Sequence, residues 1–136
     1  MHRARERLVK LAKKHGLRLR QSYERIGKQT LIKQQRYAHA RQFNRANKAL
    51  RRLRTMLGAT IRDITRKIAG PGEHQQGLQA LFAYPLSLAR RVKDQRRGEH
   101  GHKVYSLHAP EVECIGKVIT HGIFWSDFGG FRLERC

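Results

Sequence analysis

Acidic residues are scarce: ten Asp and Glu stand against 30 Lys and Arg, for a net charge of +20. The shortage is concentrated in residues 1–69, where 21 bases meet only Glu6, Glu24 and Asp63, a local balance of +18. A two-metal nucleic-acid site needs clustered carboxylates, which this stretch does not supply. Other absences narrow the field further. Two cysteines, Cys114 and Cys136, make no disulfide framework. No apolar run approaches the ~20 residues of a membrane span, and the opening MHRARERLVK lacks the apolar region of a secretory signal. One Trp, four Tyr and five Phe supply little aromatic mass for a large self-contained core. The expectation is a soluble cytoplasmic protein with a polyanionic partner, because so basic a surface repels itself until phosphates neutralise it.

What is present is amphipathic. Leu8, Leu11 and Ala12 share one face of a helix over residues 3–15, and Gly16 stands where a C-terminal glycine belongs. A polar stretch with Ser22 and Gly27 follows. From Lys28 to Ala69 there is no proline and a single glycine, Gly58. Phe43, Ala46, Leu50, Leu53, Leu57, Ile61, Ile64 and Ile68 recur there at steps of three and four, an apolar seam that predicts one long helix. Unbroken, it would run ~60 Å, with Gly58 and the polar part before Phe43 as its weak points. The seam fits packing within the chain or a dimerising coiled coil.

Gly70-Pro71-Gly72 predicts a tight stop, and residues 75–97 a returning helix with Leu78, Leu81, Phe82, Leu88, Ala89 and Val92 facing back. Pro85 is expected to kink or split that helix. KVYSL at 103–107 alternates like a strand that Pro110 ends, and residues 115–131 are compatible with one or two more. The expected architecture is mainly α, in three parts: a basic helical segment (1–69), a returning helix (70–97), and a loop with a short β-like tail (98–136).

Three strings carry a resemblance: LVKLAKKHGLRLRQSY (8–23), QQRYAHARQFNRANKALRRLRTMLG (34–58) and KVYSLHAPEVECIGK (103–117). Together they resemble transposases of bacterial insertion sequences, of the insertion-sequence-five type with a DDE catalytic core, over roughly residues 3–117. The resemblance implies a ribonuclease-H-like protein in which three carboxylates hold two Mg²⁺ ions. It aligns this chain with the helical interior between the first and second of those acids. Residues after Lys117 depart from the family pattern, and the strand carrying the first acid has no counterpart here. The expectation is therefore a remnant of a transposase gene that holds no metal of its own and performs no chemistry alone.

Other chemistry is thinly supported. Asp63 and Asp94 lie in basic helices, where pairing with Arg is the common role, while Glu111, Glu113 and Asp127 form no triad. His100, His102, His108, His121 and Cys114 match no compact zinc spacing. The basic residues opposite the seam are the candidate site: Arg41, Arg45, Lys48, Arg51, Arg52, Arg54, Arg62 and Arg66. With few acids at i±4 they are not laced into salt bridges, and they are expected to contact DNA phosphates rather than read bases. An RNA-binding structural protein and a non-functional pseudogene product are the alternatives.

Overall fold

A computed structural model describes residues 1–96 and 103–111. The chain divides into two units, 1–100 and 101–136. The first contains four helices: α1 (His2–Lys14), α2 (Glu24–His39), α3 (Phe43–Ile68) and α4 (Glu73–Asp94). It is mainly α, as expected, and α3 is its axis, with α1, α2 and α4 all packed against it.

Helix α1 ends in a Schellman motif. Gly16 adopts φ +69, its N–H donates to the Lys13 carbonyl at 3.2 Å, and the Leu17 N–H donates to the Ala12 carbonyl at 2.9 Å. The single long helix expected from residue 28 onward is instead two helices, and α2 starts earlier, taking Gly27 into its first turn. The break falls at residues 40–42, through a second Schellman motif. There the Arg41 N–H donates to the Ala38 carbonyl at 3.1 Å, and the Gln42 N–H donates to the Tyr37 carbonyl at 2.8 Å. Arg41 occupies the left-handed position (φ 56) that glycine usually takes, so no glycine marks the stop. Gly58, the other suspected weak point, is buried inside an unbroken α3.

The core joins Ala4, Leu8, Val9 and Ala12 of α1 to Leu53, Leu57, Ile61, Ile64 and Ile68 of α3 and to Leu78, Phe82, Leu86, Leu88, Ala89 and Val92 of α4. Each fully buried large side chain contributes ~1.5–3 kcal/mol. The seam is buried over most of its length, but Phe43 (57% exposed) and Leu50 stay outside, and Leu81 of α4 does too. Met56 and Thr60 join the buried side, and the Thr60 hydroxyl donates to the Met56 carbonyl at 3.0 Å.

The Gly-Pro-Gly stop acts as expected. Gln79 of α4 reaches back to donate to the carbonyls of Ile68 at 2.8 Å and Gly70 at 3.2 Å, capping the end of α3. Pro85, expected to kink or split the returning helix, lies within a continuous α4. The N–H it lacks would have bonded the carbonyl of Leu81, and that residue is exposed enough for water to take over. In the second unit, residues 103–107 form no strand. The Ser106 hydroxyl accepts the N–H groups of His108 at 3.2 Å and Ala109 at 3.3 Å, a local turn in place of a ladder. Residues 115–131, where further strands were expected, lie outside the described residues.

Arg5 is the unexpected occupant of the interior. It is 1% exposed, donates from Nη1 to the Ser22 carbonyl, and lies directly under Gly27 of α2. A Cβ built on Gly27 would meet the Arg5 guanidinium at 3.1 Å.

Two stability predictions follow from these backbones. Arg41→Gly removes the left-handed strain and raises the unfolding free energy by ~1 kcal/mol. Gly27→Val drives a branched side chain into Arg5 and lowers it by ~1–3 kcal/mol. Urea denaturation followed by circular dichroism reads both.

Candidate nucleic-acid interface

The outer side of α3 is set by the burial of its inner side. Lys48, Arg51, Arg52, Arg62 and Arg66 project from the turns opposite Leu53, Leu57, Ile61 and Ile64, and all five are exposed. Arg45 is exposed one turn nearer the N-terminus and lies over the Tyr37 ring at 5.9 Å from its centroid. From Lys48 to Arg66 the row spans about 27 Å at 1.5 Å per residue. The one acid in α3 is Asp63, and it is buried. No carboxylate of α3 therefore interrupts the row.

Two members of the expected set sit differently. Arg41 lies off the helix, exposed at the α2–α3 corner. Arg54 is half-buried and donates from Nη2 to the Gln95 carbonyl at 2.8 Å, fastening α3 to the end of α4. Its guanidinium serves the fold, not the outer surface.

Asp63 does not pair with an arginine side chain as expected for an acid in a basic helix. Its Oδ2 accepts the backbone N–H of Arg20 at 2.7 Å. Lys67 Nζ donates to the Arg18 carbonyl one turn further on. These two bonds dock the 17–22 segment on α3 and bring Arg20 beside Arg62 and Arg66, around a cleft of about 270 Å³ that also includes Tyr23. A second cleft, of about 430 Å³, is lined by Arg62 and Arg66 together with Arg90 and Lys93 of α4. Arg20, Arg90 and Lys93 are absent from the sequence-based set because they belong to no shared periodicity; only the docking brings them to α3. The one available hint was Asp63 itself, a carboxylate next to the apolar seam. Asp94, the other aspartate of the basic helices, pairs with Lys93 at 3.0 Å.

Around Arg5, His2 Nε2 lies 3.2 Å from Glu6 Oε1, while His2 Nδ1 is 3.4 Å from Arg5 Nη2. Burial pushes the His2 imidazole below its ordinary range, and Arg5 and the N-terminal amine push it the same way, against the pull of Glu6. Burial also lowers Arg5, whose Nε has no hydrogen-bond partner among the described residues. Glu24 is lowered by its bond to Lys13 at 2.6 Å, which ties α1 to α2.

Among the described residues no group of His, Cys, Asp and Glu comes together that could hold a metal ion. No helix among them is long and apolar enough to cross a membrane. His100, His102, Glu113, Cys114, His121 and Asp127 lie outside the described residues.

A 41-residue stretch of the chain is 56% identical to a Rhizobium meliloti protein described as uncharacterized protein ORF8 in the nfe locus. The stretch is 30% of this chain and 20% of that protein, so the chain spans about a fifth of the length of the curated relative it matches. No family model and no solved structure matches the chain.

The lowered His2 sets a pH dependence. A histidine whose folded value is depressed binds fewer protons folded than unfolded. Stability is therefore complete above the unfolded value of ~6.5 and falls as pH drops below it. Thermal melts between pH 7.5 and 5 are expected to show this decline, and His2→Asn to flatten it.

Proposed function

We propose that this chain is a DNA-contacting segment of a DDE transposase of the insertion-sequence-five type, gripping the duplex through its phosphate backbone. The observation that carries the grip is the acid-free outer side of α3, where Arg45, Lys48, Arg51, Arg52, Arg62 and Arg66 are exposed together. Like charges three and four apart weaken a helix, and a polyanion turns that repulsion into attraction. The family assignment is supported by the strings at 8–23, 34–58 and 103–117. On that reading the chain corresponds to helical interior of a ribonuclease-H-like protein, between its first two catalytic acids.

In the intact family Mg²⁺ supports strand cleavage and joining of element ends to target DNA. The described residues do not fit that metal: Asp63 is spent on the Arg20 N–H, Asp94 is paired with Lys93, and no further carboxylate joins them. On this reading the chain acts by binding, and it does so in the cytoplasm, where the DNA is. Phosphate contacts position a duplex without reading it, so little sequence preference accompanies the affinity. The exposed Phe43 and Leu50 offer a route to self-association at the free end of the seam.

Fluorescence anisotropy with a labelled duplex tests the grip. Six to ten phosphate contacts are expected to lower the affinity by ~10³–10⁵ between 50 and 200 mM salt. A salt-insensitive affinity would sink the proposal, and a preference for structured RNA at equal salt would transfer it to an RNA-binding role.

A further inference from the structure

The bases of α3 are not equivalent. At its N-terminal half, Arg45, Lys48, Arg51 and Arg52 stand on an open helix surface. At its C-terminal half, Arg62 and Arg66 form a ridge between two clefts, one walled by Arg20 and Tyr23 and the other by Arg90 and Lys93. Six side chains from three separate chain segments thus converge on two turns of helix.

Each carboxylate near this ridge is already engaged. Asp63 is 7% exposed and holds the Arg20 N–H, and the exposed Asp94 is bonded to its half-buried neighbour Lys93. A pair with one partner so open to solvent is worth ~0–1 kcal/mol, little enough for a phosphate to replace it. Among the described residues Arg90 has only a long contact to the Thr65 hydroxyl, at 3.4 Å. Arg20, Arg62 and Arg66 form no ion pair among the described residues. Tyr23, at the end of the segment that Asp63 and Lys67 dock on α3, is held at φ 54, a conformation that costs a non-glycine residue ~1–2 kcal/mol. Charges gathered this densely, with a single weak ion pair among them in the described residues and from separated segments, are what a phosphodiester backbone recognises.

We propose that the C-terminal half of α3 is the principal phosphate-anchoring site of this chain, with Arg62 and Arg66 as its ridge, Arg20, Arg90 and Lys93 as its walls, and Asp63 as the positioning residue that builds it. This rests on the nucleic-acid reading above and adds that the strongest contacts depend on the tertiary fold, not on the charge of one helix. Asp63 carries the sharpest consequence. Removing an acid from a chain of +20 ordinarily strengthens polyanion binding, whereas losing this one releases Arg20 from the site.

The test is a salt series of duplex binding by the full chain and its variants, with helicity checked by circular dichroism. Each lost phosphate contact lowers the slope of log affinity against log salt by ~0.9. Arg62→Ala/Arg66→Ala is therefore expected to lower it by ~1.8, shrinking the change in affinity between 50 and 200 mM by roughly tenfold. Lys10→Ala/Lys14→Ala removes the same charge from the exposed side of α1 and is expected to leave the slope nearly unchanged. Asp63→Ala is expected to weaken binding despite its added positive charge, and Asp63→Asn, which keeps an acceptor for the Arg20 N–H, to restore it. Equal losses from the two double variants, or tighter binding by Asp63→Ala, would overturn the anchoring site. Should the native chain show no salt-dependent duplex binding, the nucleic-acid reading fails with it. A steep native slope that is indifferent to Arg62 and Arg66 overturns the anchoring site alone.

Discussion

Charge repulsion is the constraint on which the rest of this structure depends. With 21 bases and three acids in residues 1–69, the chain cannot lace its helices together with salt bridges. It must turn its bases outward, and two of its three acids hold separate parts in place. Glu6 sits against the buried His2, Glu24 ties α2 to Lys13 of α1, and Asp63 docks the 17–22 segment on α3. No acid in this stretch is left to face the exposed side of α3. The surplus positive field there follows from the same arithmetic that organises the interior.

Arg5 is the exception that shows what the arrangement costs. A buried guanidinium is expensive unless its donors are met, and here one Nη serves the Ser22 carbonyl while Nε is unmet. Gly27 makes room for it by having no side chain. The result is a polar contact that sets how α2 leaves the 17–22 segment. The same segment carries Arg20 and Tyr23, so the internal packing of α1 and α2 bears directly on the clefts beside Arg62 and Arg66.

Much of this was legible in the sequence, and the failures have identifiable causes. The seam of α3, the Gly-Pro-Gly stop and the apolar side of α4 are periodic or punctuated features, and they were read correctly apart from Phe43, Leu50 and Leu81, which lie outside. The helix does part at the suspected weak point before Phe43, but that the weak point is a full stop was hidden because Arg41 occupies the left-handed position without a glycine to announce it. Pro85 lies within a continuous helix at a position where Leu81, the residue whose carbonyl it orphans, is exposed, which propensity alone does not reveal. KVYSL alternates like a strand, yet the Ser106 hydroxyl accepts the N–H groups of His108 and Ala109 and turns the chain just beyond it. The outer row of α3 was legible as composition, but Arg54 could be removed from it only by seeing the Gln95 carbonyl it holds. The walls of the two clefts were invisible, since a hydrogen bond between Asp63 and Arg20, 43 residues apart, leaves no trace in local pattern.

The central claim is that nucleic-acid phosphates lie along the outer side of α3 and concentrate at its C-terminal half. Arginine-selective chemical modification, read residue by residue by mass spectrometry with and without bound duplex DNA, tests it directly. The account predicts protection of Arg45, Arg51 and Arg52, strongest protection of Arg20, Arg62 and Arg66, and little change at Arg3 of α1. Uniform protection across all exposed arginines, or protection centred on α1, would contradict it.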